Sequence, residues 1–267
     1  MHLARGPAAL AALDALAHAR RPLLFLDLDG TLAPMVRRPK HARIPAATIR
    51  SLQRLRASGV RVVIVTGRSV AGALEIAHTA VDAILGDHGA RLYERGRLRA
   101  WLPASAEQFQ HAADRLEGAL AGTRGVRFQR KERSLAIHLL LPRNDRVAHR
   151  IAALLRAEGL RVLYGHRILD AQLPGVDKGR AVLRWLRRHP RPDAVLYAGD
   201  DTTDEDALLA LSDRAITVAV GPRPRHAAFR TSSTRTFAAW LERLADARDS
   251  AWRGRGFRAG ARGRRRR

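Results

Sequence analysis

The run Asp27-Leu28-Asp29-Gly30-Thr31 stands directly behind the apolar stretch 23–26. Apolar residues closed by a carboxylate read as a parallel strand covered on both faces, with its charged end at the rim of a sheet. Two later segments answer it. The apolar run 194–198 ends in Gly199-Asp200-Asp201-Thr202-Thr203-Asp204-Glu205-Asp206, and Lys178 follows Val176-Asp177 at the start of a helical stretch. A lone Asp-x-Asp is ordinarily a turn or a helix cap. Two carboxylate clusters at strand ends, with a lysine to meet them, point instead to a site for a metal ion and a phosphate.

The spacing around these motifs predicts an α/β fold. Strands over 23–28, 61–65 and 83–85 alternate with helices over 46–57 and 69–79. The pattern then changes to helix, two strands, helix, two strands, over 106–120, 126–129, 134–141, 144–158, 161–164 and 167–172. Strand–helix alternation resumes with 178–188, 194–198, 204–211, 215–220 and 236–247. This implies a doubly wound, Rossmann-like parallel-sheet core built from residues 1–98 and 174–250. A smaller α+β cap (αββαββ) is inserted over 99–173, and a tail covers 251–267. In such sheets the active site lies beyond the carboxyl ends of the strands. Asp27, Thr66, Gly86 and Asp200 all fall there, so four motifs converge on one crevice.

A carboxylate at a strand end can attack phosphorus once a cation screens the repulsion between two anions. Asp27 is the candidate nucleophile. Asp29, past the turn that Gly30 permits, is the candidate general acid toward the leaving oxygen and then base toward water. Asp27, the backbone carbonyl of Asp29 and Asp200 supply hard oxygen ligands that suit Mg²⁺. The chain has no cysteine, which excludes thiolate metal sites and disulfides. Thr66 can donate to a phosphoryl oxygen, and Lys178 can offset charge on the phosphate and on Asp27. Thr66-Gly67-Arg68 alone would read as an N-cap and turn. At the second strand end, Gly67 and Arg68 become candidate substrate contacts. Asp201 or Asp204 is expected to support the metal from behind its ligands, while their acidic neighbours cap the helix that follows. His88, in Gly86-Asp87-His88-Gly89, reads as a residue that structures its loop.

At 46% hydrophobic with regular periodicity, the 267 residues suit a folded chain. The formal charge is +24, which invites a nucleic-acid reading. Arginines run along the whole chain, however, and only Lys40, Lys131 and Lys178 are lysines among 49 basic residues. That skew points to codon composition. The Gly/Arg tail carries no acid and is expected to be a disordered polycation, able to touch nucleic acid or anionic lipid. The alanine-rich stretch 8–19 contains Asp14 and His18 and precedes Arg20-Arg21, so it reads as an amphipathic helix rather than an export signal. No apolar run reaches membrane-spanning length. A soluble, cytoplasmic, monomeric protein acting on a small molecule is expected.

On these residues the chain resembles the haloacid-dehalogenase-like (HAD) phosphatases and, within them, the trehalose-6-phosphate phosphatase family. Residues 27–36, with Pro39, Ala42 and Pro45, are similar to that family's opening motif, and Gly199 to Asp206 to its acidic signature. Thr66-Gly67-Arg68 stands where the family usually has Ser-Gly-Arg. The resemblance implies Mg²⁺-dependent hydrolysis of trehalose 6-phosphate through an aspartyl-phosphate on Asp27. It makes Asp29 the acid/base, Thr66 and Lys178 the phosphate binders and Asp200 a magnesium ligand. It also sets Gln129, Lys131, His138 and Asp170 of the cap against the sugar. There the chain departs from the family. Gln129-Arg130-Lys131 replaces Glu-x-Lys, His138-Leu139-Leu140 replaces His-Tyr-Arg, and Asp170-Ala171-Gln172-Leu173 replaces Glu-x-Arg-Pro. The alternative those departures raise is the same chemistry on another sugar phosphate. A third reading, a nucleic-acid-binding protein with a vestigial phosphatase core, is opposed by the core site, which lacks none of its expected acidic or lysine groups.

Overall fold

The structure, a computed structural model, describes residues 3, 6–36, 38–77, 80–103, 105–130, 134–141, 145–165 and 167–263. A proline in the first turn opens α1 (Pro7–His18). β1 (Pro22–Leu26), α2 (Ala46–Ala57), β2 (Arg61–Val65), α3 (Val70–Ala77) and β3 (Ala83–Gly86) follow in the expected alternation. A hairpin the sequence did not disclose, β4 (Arg91–Glu94) and β5 (Arg97–Ala100), then folds back antiparallel on β3. Its turn is Arg95-Gly96, with φ of 52° and 75°, the left-handed pair that matches the twist of two joined strands. Residues 99 and 100, assigned to the cap from sequence, therefore belong to the core sheet.

The cap comprises α4 (Ala106–Ala119), β6 (Val126–Arg130), β7 (Ser134–Leu139), α5 (Asp145–Ala157), β8 (Arg161–Gly165) and β9 (Ile168–Gln172). The core resumes with α6 (Lys178–Arg188), β10 (Ala194–Gly199), α7 (Glu205–Ala210), β11 (Ile216–Val220), β12 (Phe229–Thr231) and α8 (Thr234–Gly263). α8 was expected to end at Ala247. It continues instead through most of the Gly/Arg segment expected to be disordered, where arginines favour a helix and the interspersed glycines oppose it. Residues 264–267 lie outside the described residues.

The core sheet has the order β12-β11-β10-β1-β2-β3-β4-β5, parallel from β12 to β3. The chain winds outward from β1 to β3 and then returns to β1's other side as β10. The strand order thus reverses between β1 and β10, and a crevice opens beyond their carboxyl ends. Alternate residues of the strands serve opposite layers. Leu24, Leu26, Val62, Ile64, Leu196 and Ala198 are buried with residues of α1, α2, α3 and α8. Leu23, Phe25, Val63, Val65, Val195 and Tyr197 join α6, α7 and the apolar interior of the cap in a second cluster. Burial on both faces explains why these strands read as continuous apolar runs. Arg248, itself buried, donates to the carbonyls of Ala17 and Ala19 and so ties α8 to the end of α1.

The cap sheet is antiparallel in the order β6-β7-β9-β8. Opposed residues share a face. One face carries the pairs Leu135–Ala171 and Ile137–Leu169 and packs with Phe109 and Leu116 of α4 and Ile151 and Leu155 of α5. The other carries Gln129, Ala136 and Asp170 in one row and Arg127, His138 and Ile168 in the next. Among the described residues no helix is long and apolar enough to cross a membrane.

Candidate active site

Asp27 follows β1 and Asp200 follows β10, so pairing of those two strands brings the two acidic motifs together. Lys178, the first residue of α6, rises between them. Its Nζ donates to Asp27 Oδ1 at 2.7 Å and to Asp204 Oδ1 at 2.8 Å. Asp27, Lys178 and Asp204 are 4%, 2% and 0% exposed, so little water screens the three charges. Tyr197 of β10 donates its hydroxyl to Asp204 Oδ1 at 2.6 Å. Asp204 Oδ2 accepts the backbone N–H groups of Asp200 and Asp201 at 3.2 and 3.1 Å. Four donors fill the acceptor positions of Asp204. It orients Lys178 and the acidic loop, and Asp27 and Asp200 are left as the carboxylates with room for a cation. Asp201 caps the turn after β10 by accepting from Thr202 N at 2.9 Å.

Burial is the main force raising the pKa of Asp27 well above 3.8, and the negative charges of Asp204 and Asp200 act with it against Lys178. Asp200 is pushed up to about 7, again first by burial and then by Asp204 and Asp201. Burial alone would lower Lys178, but Asp204 and Asp27 outweigh it and hold the ammonium above its ordinary range. One ammonium thus faces more negative charge than it can balance. Oxygens of Asp27, Asp200 and Asp204 lie within 4.8 Å of one another. An all-oxygen donor set with excess negative charge suits a hard divalent ion such as Mg²⁺. Gly30 makes room for it. Its φ is +84°, and a Cβ there would lie 2.1 Å from Asp200 Oδ2, so a side chain would displace the carboxylate.

Around this centre the other expected residues fall at different distances from the chemistry. Thr66, buried at the end of β2, accepts from Arg68 N at 3.2 Å through Oγ1. Arg68, expected to meet substrate, is turned onto Asp29. Its Nε donates to Oδ2 at 2.5 Å and its Nη2 to Oδ1 at 2.7 Å. Gly67 stands against His88, where a Cβ would come within 2.4 Å of the imidazole. A cavity of about 490 Å³ runs from Asp29 and Arg68 to Gln129 and Ile168 and so joins core to cap. Gln129 also bonds His138, at 3.0 Å from Oε1 to Nε2. Asp170 shares the row of Gln129, on β9 opposite Ala136. Lys131 lies outside the described residues. The sequence reading missed three contacts: Tyr197 on Asp204, the Arg68–Asp29 clamp, and Arg223, whose Nη1 is 3.7 Å from Asp200 Oδ2. A tyrosine within an otherwise aliphatic buried strand was the one available signal, for Tyr197.

A doubly wound sheet with acidic strand ends at its switch point and a small antiparallel cap is the fold of the haloacid-dehalogenase-like superfamily. Within that class the chain belongs to the trehalose-phosphatase family, whose model matches residues 25–238. It is 32% identical over 244 residues to a trehalose-phosphate phosphatase of Mycobacterium marinum, covering 84% of this chain and 62% of that protein. An uncharacterized glycosyl hydrolase of Mycobacterium tuberculosis is 32% identical over 248 residues, covering 85% of this chain and 18% of that protein. The chain therefore spans less than two thirds of the length of these curated relatives. The C-terminal domain of trehalose-6-phosphate phosphatase from C. albicans has the same fold, with a TM-score of 0.73 at 22% identity, covering 89% of this chain and 96% of that one.

Proposed function

We propose that the chain is a Mg²⁺-dependent phosphatase that hydrolyses trehalose 6-phosphate to trehalose and phosphate through an aspartyl-phosphate. The observation that carries this reading is the meeting of Asp27 and Asp200 at the end of adjacent strands, with Lys178 bonded to the first. Family membership and the mycobacterial relative's activity support the substrate. Mg²⁺, held by Asp27, the carbonyl of Asp29 and Asp200, would screen the repulsion between nucleophile and phosphate. An oxygen of Asp27 attacks phosphorus, and the bond from phosphorus to the sugar oxygen breaks as the bond to Asp27 forms. Asp29 gives its proton to the leaving oxygen. Water then attacks the phosphoryl group, Asp29 takes a proton from it, and Asp27 returns to a carboxylate as phosphate leaves. Lys178 fixes the nucleophile, and the Thr66 hydroxyl donates to a phosphoryl oxygen. Before Asp29 can act, Arg68 must release it. The incoming phosphate offers the guanidinium an equivalent two-pronged partner. Gln129, His138 and Asp170, on the cap face opposite its helices, would contact the sugar, and family resemblance assigns Lys131 the same role.

The test is phosphate release from a panel of sugar phosphates with and without Mg²⁺. Trehalose 6-phosphate is expected to give the highest kcat/KM. A higher value for another sugar phosphate would move the substrate, and silence on the whole panel would overturn the reading. One observation favours a different sugar. Arg130, next to the altered cap positions, is tied to Gln110 and Asp114 of α4 at 2.5 and 2.6 Å. It does not replace the arginines missing from the cap strands.

The metal reading also fixes a pH dependence. Asp200 carries a raised pKa in the folded, metal-free protein, so between its ordinary 3.8 and about 7 the folded state binds more protons than the unfolded state. Stability from this group therefore falls as pH rises through that window. Mg²⁺ replaces the proton, so its thermal stabilisation should be larger at about pH 8 than at about pH 6. Equal shifts in melting temperature at both pH values would remove the metal from this site.

A further inference from the structure

Beside the cavity that joins Asp29 to Gln129 lies a second, of about 810 Å³, lined by Val36, Arg38, His41 and Arg127. The two share Val36. Arg127 stands two residues before Gln129 on β6, hence on the same cap face and roughly 7 Å farther along it. Arg38 and His41 come from the core loop that carries Pro39, which lines the first cavity. The second cleft is thus assembled from both sides of the core–cap opening, one side chain beyond the residues nearest Asp29.

Among the described residues its charge is one-sided: none of those that line it is a carboxylate, and neither arginine is paired to one. Other arginines near the opening have partners: Arg68 holds Asp29 and Arg130 holds Asp114. A neutral sugar in this cleft would strip water from two permanent cations without compensating them. A carboxylate or phosphate would bridge them. We propose that this cleft is a second anion site, and that the enzyme also hydrolyses sugar phosphates bearing a second anionic group one ring away from the scissile ester. This rests on the phosphatase reading and leaves its chemistry unchanged.

The experiment compares kcat/KM for glucose 1,6-bisphosphate and 6-phosphogluconate with that for glucose 6-phosphate, in the unaltered protein and in Arg38→Ala/Arg127→Ala and Arg127→Glu. Both arginines are exposed, and glucose 6-phosphate turnover should not change. The unaltered protein should prefer at least one doubly anionic substrate by roughly tenfold or more, the range of a charged hydrogen bond. The variants should remove that preference, with Arg127→Glu reversing it. Preference in the bisphosphate arm assigns the site to phosphate, and in the phosphogluconate arm to carboxylate. Titration calorimetry of the same compounds with Asp27→Asn should show the same ranking without turnover. Equal kcat/KM values, or a preference that survives both variants, would overturn the site while leaving trehalose 6-phosphate hydrolysis standing. Loss of phosphatase activity on every substrate, with no preferential binding in the calorimeter, would overturn both.

Discussion

Asp27→Asn is expected to abolish phosphate release and to leave the protein folded. Asparagine keeps the shape and the oxygen that accepts from Lys178, but its amide is not a nucleophile toward phosphorus. Removing an attacking residue costs on the order of 10⁴-fold or more in turnover. Stability should hold, because burial already opposes the Asp27 charge and Asp204 and Asp200 repel it. Deleting that charge lowers the repulsion, while Lys178 keeps Asp204 at 2.8 Å. The metal-free variant should therefore unfold within roughly 1 kcal/mol of the unaltered protein. Initial rates on trehalose 6-phosphate with saturating Mg²⁺, paired with a denaturant curve, check both halves. Turnover within tenfold of the unaltered protein would remove Asp27 as nucleophile. Loss of activity together with collapse of the fold would show that the carboxylate is structural.

The residues around Asp27 were legible because parallel strands buried on both faces write themselves as apolar runs. β2 and β10 could each be bounded to within a residue and β1 to within two, and with them the positions of Asp27, Thr66 and Asp200. The hairpin β4–β5 escaped because β5, Arg97–Ala100, is only four residues long and exposed throughout, so the alternation of its arginines with Leu98 and Ala100 marks no buried face. Arg95-Gly96 also lacks the asparagine or aspartate that usually announces such a turn. β12, three residues long, is too short to show periodicity. The site divides in the same way. Residue types at strand ends disclosed the acids and the lysine, but no local pattern reports a contact across 39 residues such as Arg68 on Asp29. Nor does it report that Asp204 is already filled by four donors. His88 is the intermediate case. The sequence placed it in a structuring loop, and the structure shows it buried at φ 55° against Gly67.

Lys178→Met should be the variant most damaging to stability, and its effect should depend on pH. Methionine has nearly the length of lysine, so packing is kept and the charge alone is lost. Lys178 is the cation bonded to both Asp27 and Asp204, and all three side chains are almost fully buried. Taking it away leaves two carboxylates in a site that cannot hydrate them, which costs about 3–5 kcal/mol when one partner of a buried pair is removed. The loss is expected in full above neutral pH. Asp27 already has a raised pKa with the ammonium in place, and without it the carboxyl takes up a proton still more readily. A carboxyl whose folded pKa is raised stabilises the fold as pH falls through that value, so the deficit should shrink in acid. Denaturant unfolding of metal-free protein at about pH 8 and about pH 5.5 measures this, with Lys178→Met/Asp204→Asn as the companion. Asparagine removes one of the two stranded charges, so the double variant should regain part of the loss at the higher pH. A deficit that is independent of pH, or undiminished in the double variant, would mean that Lys178 supports α6 by packing and that the charge balance assigned to it is wrong.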